Sequence, residues 1–185
     1  MSNLPIERLR AQHSDALLAT HAQHGDDTAI VKAAQIVEVM RFLRDDAALS
    51  FDQLIDLTCV DTLGLDARTL KVICGTPEPG VAAEATRGRF HVVYHLRSMH
   101  TGKRLRVKAV VDESEDGDYP EIDSVASLWK AANWAEREAW DMYGVKFRGH
   151  PDLRRILMYE EFIGHPLRKD YPKEKRQPLV RRDWT

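Results

Sequence analysis

Two neighbouring segments that alternate between apolar and polar side chains constrain the fold more than any other part of the chain. A period of two is typical of a β-strand with one buried face. A turn at His100-Thr101-Gly102 lies between the segments and predicts a hairpin. One face is apolar and the other largely basic, so we expect helices to cover one side of an antiparallel sheet. The apolar members are Phe90, Val92, Tyr94, Leu96, Leu105, Val107, Ala109 and Val111.

The remaining periodicities predict a mixture of helices and further strands. The predicted helices span residues 6–22, residues 32–44, and a segment capped by Asp123 or Ser124 that ends before Gly144. The predicted strands span residues 28–31, residues 55–61 and residues 70–74. The expected fold is therefore α/β (α+β), a mixed, largely antiparallel sheet covered by helices on one face, with an extended C-terminal strap. The expected parts are an N-terminal helical segment (1–27), an α/β domain (28–145) and a basic tail (146–185).

The strap, residues 146–185, lacks any regular pattern. The tripeptide Gly-His-Pro occurs at residues 149–151 and again at 164–166, and Pro172 and Pro178 follow. Proline forces the preceding residue into an extended backbone and interrupts helices. Irregular stretches of about 35 residues are uncommon in compact domains. We therefore expect the strap to need another protein to lie against, which favours a subunit over a free-standing enzyme.

The charge of the chain is divided unevenly. The net charge is −2, yet residues 146–182 carry eleven Lys and Arg against five Asp and Glu, and the rest carries sixteen against twenty-four. This division indicates a basic arm on an acidic domain. Such an arm can meet nucleic acid, anionic lipid or an acidic partner protein. Acidic residues interleave with its arginines, and arginine pairs well with carboxylates, so a protein–protein contact is favoured.

Several functional classes find no support in the sequence. Cys59 and Cys74 lie among apolar residues, which predicts buried free thiols in a reducing compartment and no iron–sulfur cluster. The first residues lack the apolar core of a signal peptide, and no run of about 18 apolar residues predicts a membrane span. Glycine-rich nucleotide motifs and nucleophile elbows do not occur.

The histidines do not form a convincing metal set. His91 and His95 share one strand face but lie about 13 Å apart, which is too far for one ion. His21 and His24 have no further ligand at a matching spacing. We therefore predict no metal, cofactor or catalytic residue in this chain.

The carboxylates near residue 140 allow two interpretations. Glu136, Glu138 and Asp141 can act as general acids and bases, or they can pair with arginines of the strap or of a partner. We favour the second interpretation, because Arg137 lies among them. The helical stripe also places Glu136 among apolar residues, so we expect that carboxylate to be buried and paired.

Three blocks in this region resemble a known family. They read E-R-E-A-W-D-M-Y-G at 136–144, F-R-G-H-P-D-L-R-R-I-L at 147–157 and G-H-P-L-R-K-D-Y-P at 164–172. In this order they resemble the 30 kDa, or C-type, subunit of NADH:quinone oxidoreductase (respiratory complex I). The likeness covers most of the chain beyond residue 28, although residues 63–88 are longer than the usual link.

The resemblance implies a non-catalytic structural or assembly subunit in the peripheral arm of a proton-translocating complex. It implies packing on the 49 kDa (D-type) quinone-site subunit, with FMN and iron–sulfur clusters held by other subunits. It also implies membrane association only through the complex, on the cytoplasmic side of a bacterial inner membrane or the matrix side in mitochondria. The predicted partner-interface residues are Glu136, Arg137, Glu138, Asp141, His150, Arg154, Arg155, His165, Arg168, Lys169 and Asp170.

Three other functions stay open at this point. Energy-converting hydrogenases and other dehydrogenases of complex I type use homologous subunits with a different electron donor. An RNA-binding α/β module would use the basic hairpin face and the strap. A free-standing hydrolase would use Glu136 and Glu138.

Overall fold

A six-stranded mixed sheet organises the computed structural model, which describes residues 3–23, 25–113, 119–174 and 177. Its strands are β1 (Leu17–Gln23), β2 (Asp26–Lys32), β3 (Gln53–Asp61), β4 (Thr76–Pro77), β5 (Phe90–Arg97) and β6 (Arg104–Val111). The order across the sheet is β3-β5-β6-β2-β1-β4, and only the β2–β6 pair is parallel among these described strands. Strands β7 (Glu121–Asp123) and β8 (Lys146–Arg148) form a separate parallel pair. This architecture confirms the predicted fold class.

The helices of the described residues are short. They are α1 (Leu4–Gln12), α2 (Ile36–Asp45), α3 (Ala67–Cys74) and α4 (Ala132–Tyr143), with 3-10 turns at Ala33–Gln35 and Ala83–Thr86. None of these helices has the length and apolar composition needed to cross a membrane.

The predicted hairpin is confirmed and forms the centre of the core. Strands β5 and β6 pair antiparallel in the register Phe90 with Val111 through Leu96 with Leu105. The apolar residues of both strands face one side and are buried. Helix α2, predicted within residues 32–44, packs its own apolar side chains into the same cluster. The local periodicity and the tertiary packing agree here, which explains why these elements were predictable.

The single helix predicted over residues 6–22 is wrong in its second half. The helix ends at Gln12, and residues 17–23 form β1 instead. Strand β1 pairs with β2 on one side and with β4 on the other. Pairing with the neighbouring β2 and with β4, which is distant in sequence, overrides the local helical preference of Leu17, Leu18 and Ala19.

The short strand predicted over residues 70–74 is also wrong, because these residues belong to α3. Asp66 caps this helix, and its carboxylate accepts hydrogen bonds from the amides of Arg68 and Thr69, each at 2.9 Å. A capping aspartate followed by a short amphipathic segment was the sequence signal for a helix.

Residues 67–88 cover half of the sheet face that was expected to be exposed. Lys108 lies on that face with 8% of its surface exposed, and its ammonium donates to the Ile73 carbonyl oxygen at 2.9 Å. His91, on the same face, is fully buried. The other half, which includes Arg104, stays open to solvent. The basic face needed for the RNA-binding alternative is therefore reduced in extent.

Helix α4 begins later than predicted. Its first residue is Ala132, because residues 126–131 form turns and Asp123 belongs to β7. The Ser124 hydroxyl does not cap α4 but donates to the Glu136 carboxylate at 2.6 Å. The predicted end is confirmed: Gly144 has a φ of +79°, and its amide donates to the Trp140 carbonyl oxygen at 2.8 Å.

Candidate partner interface

The described part of the strap folds against its own domain. Strand β8 pairs with β7, and the amide of Leu167 donates to the Met142 carbonyl oxygen at 3.0 Å. The described strap therefore packs on its own domain, and its need for another protein to lie against stays a prediction. Residues 175, 176 and 178–185, which include Pro178, lie outside that part.

The buried carboxylate of Asp141 holds the first half of the strap. One oxygen accepts the amides of Ile156, Leu157 and Met158 at 3.1, 2.8 and 2.8 Å. The other accepts a hydrogen bond from the Arg155 guanidinium at 2.5 Å. Burial opposes ionisation of this carboxyl, but the amides and the guanidinium outweigh it and lower the pKa of Asp141. The side chain thus acts as a fixed anion around which three consecutive peptide units turn.

Arg155 extends this arrangement to the next loop. Its guanidinium donates to the carbonyl oxygens of Phe162 at 2.9 Å and Gly164 at 3.0 Å. It also lies 5.7 Å from the centre of the Phe162 ring. The sequence predicted Arg155 as a contact to a partner, whereas the structure uses most of its donors inside the chain.

His165 fills the space beside the end of α4. The residue is 4% exposed, and its Nδ1 donates to the Asp141 carbonyl oxygen at 2.9 Å. The ring packs against Tyr119 and Trp140, with centroids 5.4 and 5.2 Å away. A Cβ at Gly144 would lie 2.7 Å from this ring. Glycine is therefore required there both for the left-handed backbone and for the close approach of the histidine.

A network of charges fixes the second half of the strap. The Asp61 side chain is fully buried and accepts the amide of Lys169 at 2.9 Å. Arg89 forms ion pairs with Asp61 at 3.2 Å, Asp170 at 2.8 Å and Glu113 at 2.9 Å. Burial opposes ionisation of Asp61, yet Arg89 and the amides outweigh it and lower the pKa of this carboxyl.

Arg168 joins the same network through Glu113 and Asp170. Sequence reasoning missed Asp61, Arg89 and Glu113. The available signal was that Asp61 ends β3 and Arg89 precedes β5. Both strands were predicted from their alternation, but the pairing of β3 with β5 in the sheet was not predicted.

Glu136 is buried and paired, as predicted, but its partners are not arginines. Its carboxylate accepts the Ser124 hydroxyl at 2.6 Å and the Val125 amide at 2.8 Å. Burial raises the pKa of Glu136 to about 7, although both hydrogen bonds oppose the rise. Glu138 is exposed, so these two residues lie in different environments. The geometry therefore does not support the hydrolase alternative.

The other predicted interface residues are distributed between the interior and the surface. Arg137 donates to the carbonyl oxygens of Arg154 and Arg155 at 3.2 and 3.1 Å. His150 Nε2 donates to the Asn133 carbonyl oxygen at 3.0 Å. Glu138, Arg154, Lys169 and Asp170 are exposed. The contact of these eleven residues with another protein stays a prediction.

The strap presents apolar side chains to solvent, a feature that sequence reasoning missed. Leu157, Ile163 and Leu167 are 56%, 68% and 50% exposed. Tyr119 and Trp134 add two exposed aromatic rings outside the strap. Isolated exposed apolar residues are normal, but several on one short, internally braced segment indicate a contact surface. The signal was the set of large apolar residues between the glycines and prolines of the strap.

A metal-ligand cluster is not found in the part of the chain described here. No three His, Cys, Asp or Glu side chains among these residues come together as a metal site requires. Cys59 and Cys74 are free and buried, and burial raises the pKa of both thiols. His24 lies outside the described residues, and its predicted neighbour His21 lies on β1 rather than at a helix end.

Comparison with known proteins identifies the family. The sequence profile of the family described as "Respiratory-chain NADH dehydrogenase, 30 Kd subunit" matches residues 29–177. The chain belongs to this family. It is 41% identical over 171 residues to the C-type subunit of NADH-quinone oxidoreductase from Citrifermentans bemidjiense, a match that covers 92% of this chain and 89% of that protein. It is 42% identical over 167 residues to the corresponding subunit of Roseiflexus sp., covering 90% and 82% of the two chains.

A solved structure shares the fold of this 30 kDa-family chain. It is a chain from the membrane-bound sulfane sulfur reductase (MBS), described as an archaeal respiratory membrane complex. The TM-score is 0.62 at 19% sequence identity, and the match covers 97% of this chain and 94% of the other. At this identity the likeness concerns the fold alone.

Proposed function

We propose that this chain is a structural subunit in the peripheral arm of a proton-translocating NADH:quinone oxidoreductase. In this proposal the strap packs on the 49 kDa-type subunit that forms the quinone site. Electron transfer from NADH to quinone belongs to the whole complex, and FMN and the iron–sulfur clusters are held by other subunits. The chain is non-catalytic and meets the membrane only through the complex, on the cytoplasmic side in bacteria. The family membership and the relatives from NADH-quinone oxidoreductases support this proposal.

The observation that carries the proposal is the apolar surface of the strap. Asp141 and Arg155 hold the backbone in place, and Leu157 and Ile163 still point into solvent. Full burial of an exposed Leu or Ile contributes about 1.5–3 kcal/mol, so covering the remaining exposed part of one of these side chains contributes about 1–2 kcal/mol. Interfaces commonly surround an apolar centre with a polar rim, and exposed Arg154 and Lys169 suit that position.

The test is co-purification of the neighbouring subunits with variants of the tagged chain from native membranes. We expect Leu157→Asp and Ile163→Asp to reduce recovery of the 49 kDa subunit, because a charge would be buried in the interface. Met99→Asp is the matched control, since Met99 is 59% exposed on the hairpin turn, outside the strap. Normal recovery with both strap variants would contradict the proposed interface.

The same purified assembly tests the electron donor. We expect NADH to reduce quinone through the complex, since the relatives are named as NADH-quinone oxidoreductase subunits. An assembly that oxidises hydrogen and leaves NADH unused would instead establish the hydrogenase alternative.

A further inference from the structure

Residues 63–88, which form a longer segment than the usual link of the family, border a half-open cavity. Helix α3 forms one wall and the 3-10 turn Ala83–Thr86 forms the other. The cavity measures about 480 Å³. Sites for small molecules commonly measure about 300–1,000 Å³. This cavity is therefore large enough for a small organic ligand.

Hydrogen bonds to the sheet or within the segment hold both walls of this cavity in place. The Lys108 ammonium holds the end of α3 through the Ile73 carbonyl oxygen at 2.9 Å. The Thr86 hydroxyl closes the 3-10 turn by donating to the Ala83 carbonyl oxygen at 2.8 Å. Between the walls, the Glu78 amide donates to the Leu18 carbonyl oxygen of β1 at 2.9 Å. The cavity is therefore formed before any ligand enters, which lowers the entropic cost of binding.

The lining combines apolar surface with uncompensated positive charge. Leu70, Pro77 and Ala83 supply the apolar part, and Lys71 and Arg87 supply the charge. Within the described part of the chain, neither cation lies within ion-pair distance of a carboxylate. The electrostatic balance of the cavity is therefore positive.

Neighbouring groups do not cancel this charge. Lys108 lies beneath α3 as a third basic group, and burial lowers its pKa to about 8. Among the nearby carboxylates, Asp66 caps its own helix and Glu78 pairs with Arg10 at 2.7 Å. Glu84, on the 3-10 turn itself, is exposed, and it is not among the residues that line the cavity. A negative group in the cavity would thus meet two cations that are exposed to solvent, so charge pairing adds to the contact with the apolar lining and does not replace it.

We propose that this cavity binds a small amphiphilic anion, with a short acyl chain or ring against Leu70 and Pro77. The carboxylate or phosphate of that ligand lies between Lys71 and Arg87. Arg87 is suited to this role because its guanidinium can hold two oxygens of one planar or tetrahedral anion.

The test titrates the full 185-residue chain with defined probes, followed by calorimetry and by amide chemical shifts of residues 67–88. The anionic probes are octanoate and octyl phosphate. Octanol is the control that has the apolar chain without the charge, and acetate is the control that has the carboxylate without the chain. We expect at least one anionic amphiphile to bind about tenfold more tightly than both octanol and acetate. Equal binding of octanol, or failure of both anionic probes to bind, would overturn the proposal.

Variants of the cavity separate specific binding from general charge. Arg87→Glu should weaken binding of the anionic probe about tenfold or more, whereas Lys103→Glu on the exposed hairpin turn should leave it unchanged. Ala83→Trp should abolish binding by filling the space, with Ala67→Trp as the substitute if the first variant does not fold. Circular dichroism and thermal melting verify the fold of each variant. Equal effects of the two charge reversals, or full binding by a folded tryptophan variant, would refute the site.

Discussion

Replacing Asp141 by asparagine tests whether this one carboxylate orders the strap. The change keeps the size of the side chain but removes its charge. The asparagine oxygen can still accept the amides of residues 156–158, and the new amide group then faces the Arg155 guanidinium, donor against donor. Loss of one partner from a buried ion pair costs about 3–5 kcal/mol. Arg155 is 18% exposed, so we take the lower value, about 3 kcal/mol.

The assay is amide hydrogen exchange of the full chain, read by mass spectrometry. The cost falls on local opening of the strap, because the hydrogen bonds of Asp141 and Arg155 run to residues 156–158, 162 and 164 of the strap. We expect peptides within residues 150–171 to exchange about 100-fold faster, since each 1.4 kcal/mol changes the opening equilibrium about tenfold. Peptides from residues 90–111 should keep their wild-type protection.

The matched control is Asp152→Asn, which removes an exposed ion pair with Arg154 at 2.9 Å. Such surface pairs contribute about 0–1 kcal/mol, so exchange in the strap should be nearly unchanged. Wild-type protection of the strap in Asp141→Asn would refute the role assigned to this carboxylate. Uniformly faster exchange over the whole chain would show instead that strap and core unfold together.

Two further predictions concern α4 and the glycine that ends it. The folded-state pKa of Glu136 is about 7, against an ordinary value of 4.5. The contribution of protonated Glu136 to folding stability is therefore fully present below about pH 4.5 and is lost as the pH rises through about 7. Urea unfolding should show up to about 3 kcal/mol of stability lost over this window, and Glu136→Gln should flatten the profile; an unchanged slope would contradict the assignment. Gly144→Ala should be at least about 1 kcal/mol more destabilising than Gly102→Ala in thermal melts, because both positions have positive φ but only the first meets a buried ring. Equal losses of stability in the two variants would show that the close approach of the His165 ring to Gly144 is unimportant.

The parts of the fold that were predictable from the sequence are those in which local pattern and tertiary contacts agree. The alternation of residues 90–97 and 104–111 predicts strands that the sheet needs at its centre. Residues 17–23 and 67–74 show the opposite case. Each segment is short, and its state depends on a partner distant in sequence: β4 for the first, and the sheet face beneath α3 for the second. A single-sequence pattern does not contain those partners.

The same reasoning explains which part of the candidate interface was foreseen. Pairing of a helix carboxylate with a strap arginine was predicted from charge, and Asp141 with Arg155 confirms it. The three amides that converge on Asp141 were not foreseen, because backbone donors look the same in every residue type. A segment without periodicity can therefore be ordered by a few side-chain-to-backbone hydrogen bonds.

This internal order changes the expected physics of assembly. A strap that became ordered only on its partner would lose conformational entropy at the moment of binding, about 0.5–1.5 kcal/mol for each immobilised long side chain. In a strap already held by Asp141 and Asp61, much of this conformational entropy is lost when its own domain folds. Its buried arginines are also largely satisfied within the chain, so charge contributes less to the proposed contact than the composition of the strap suggests. The free energy of association then depends mainly on the apolar side chains left exposed, of which Ile163 is the most accessible within the described strap.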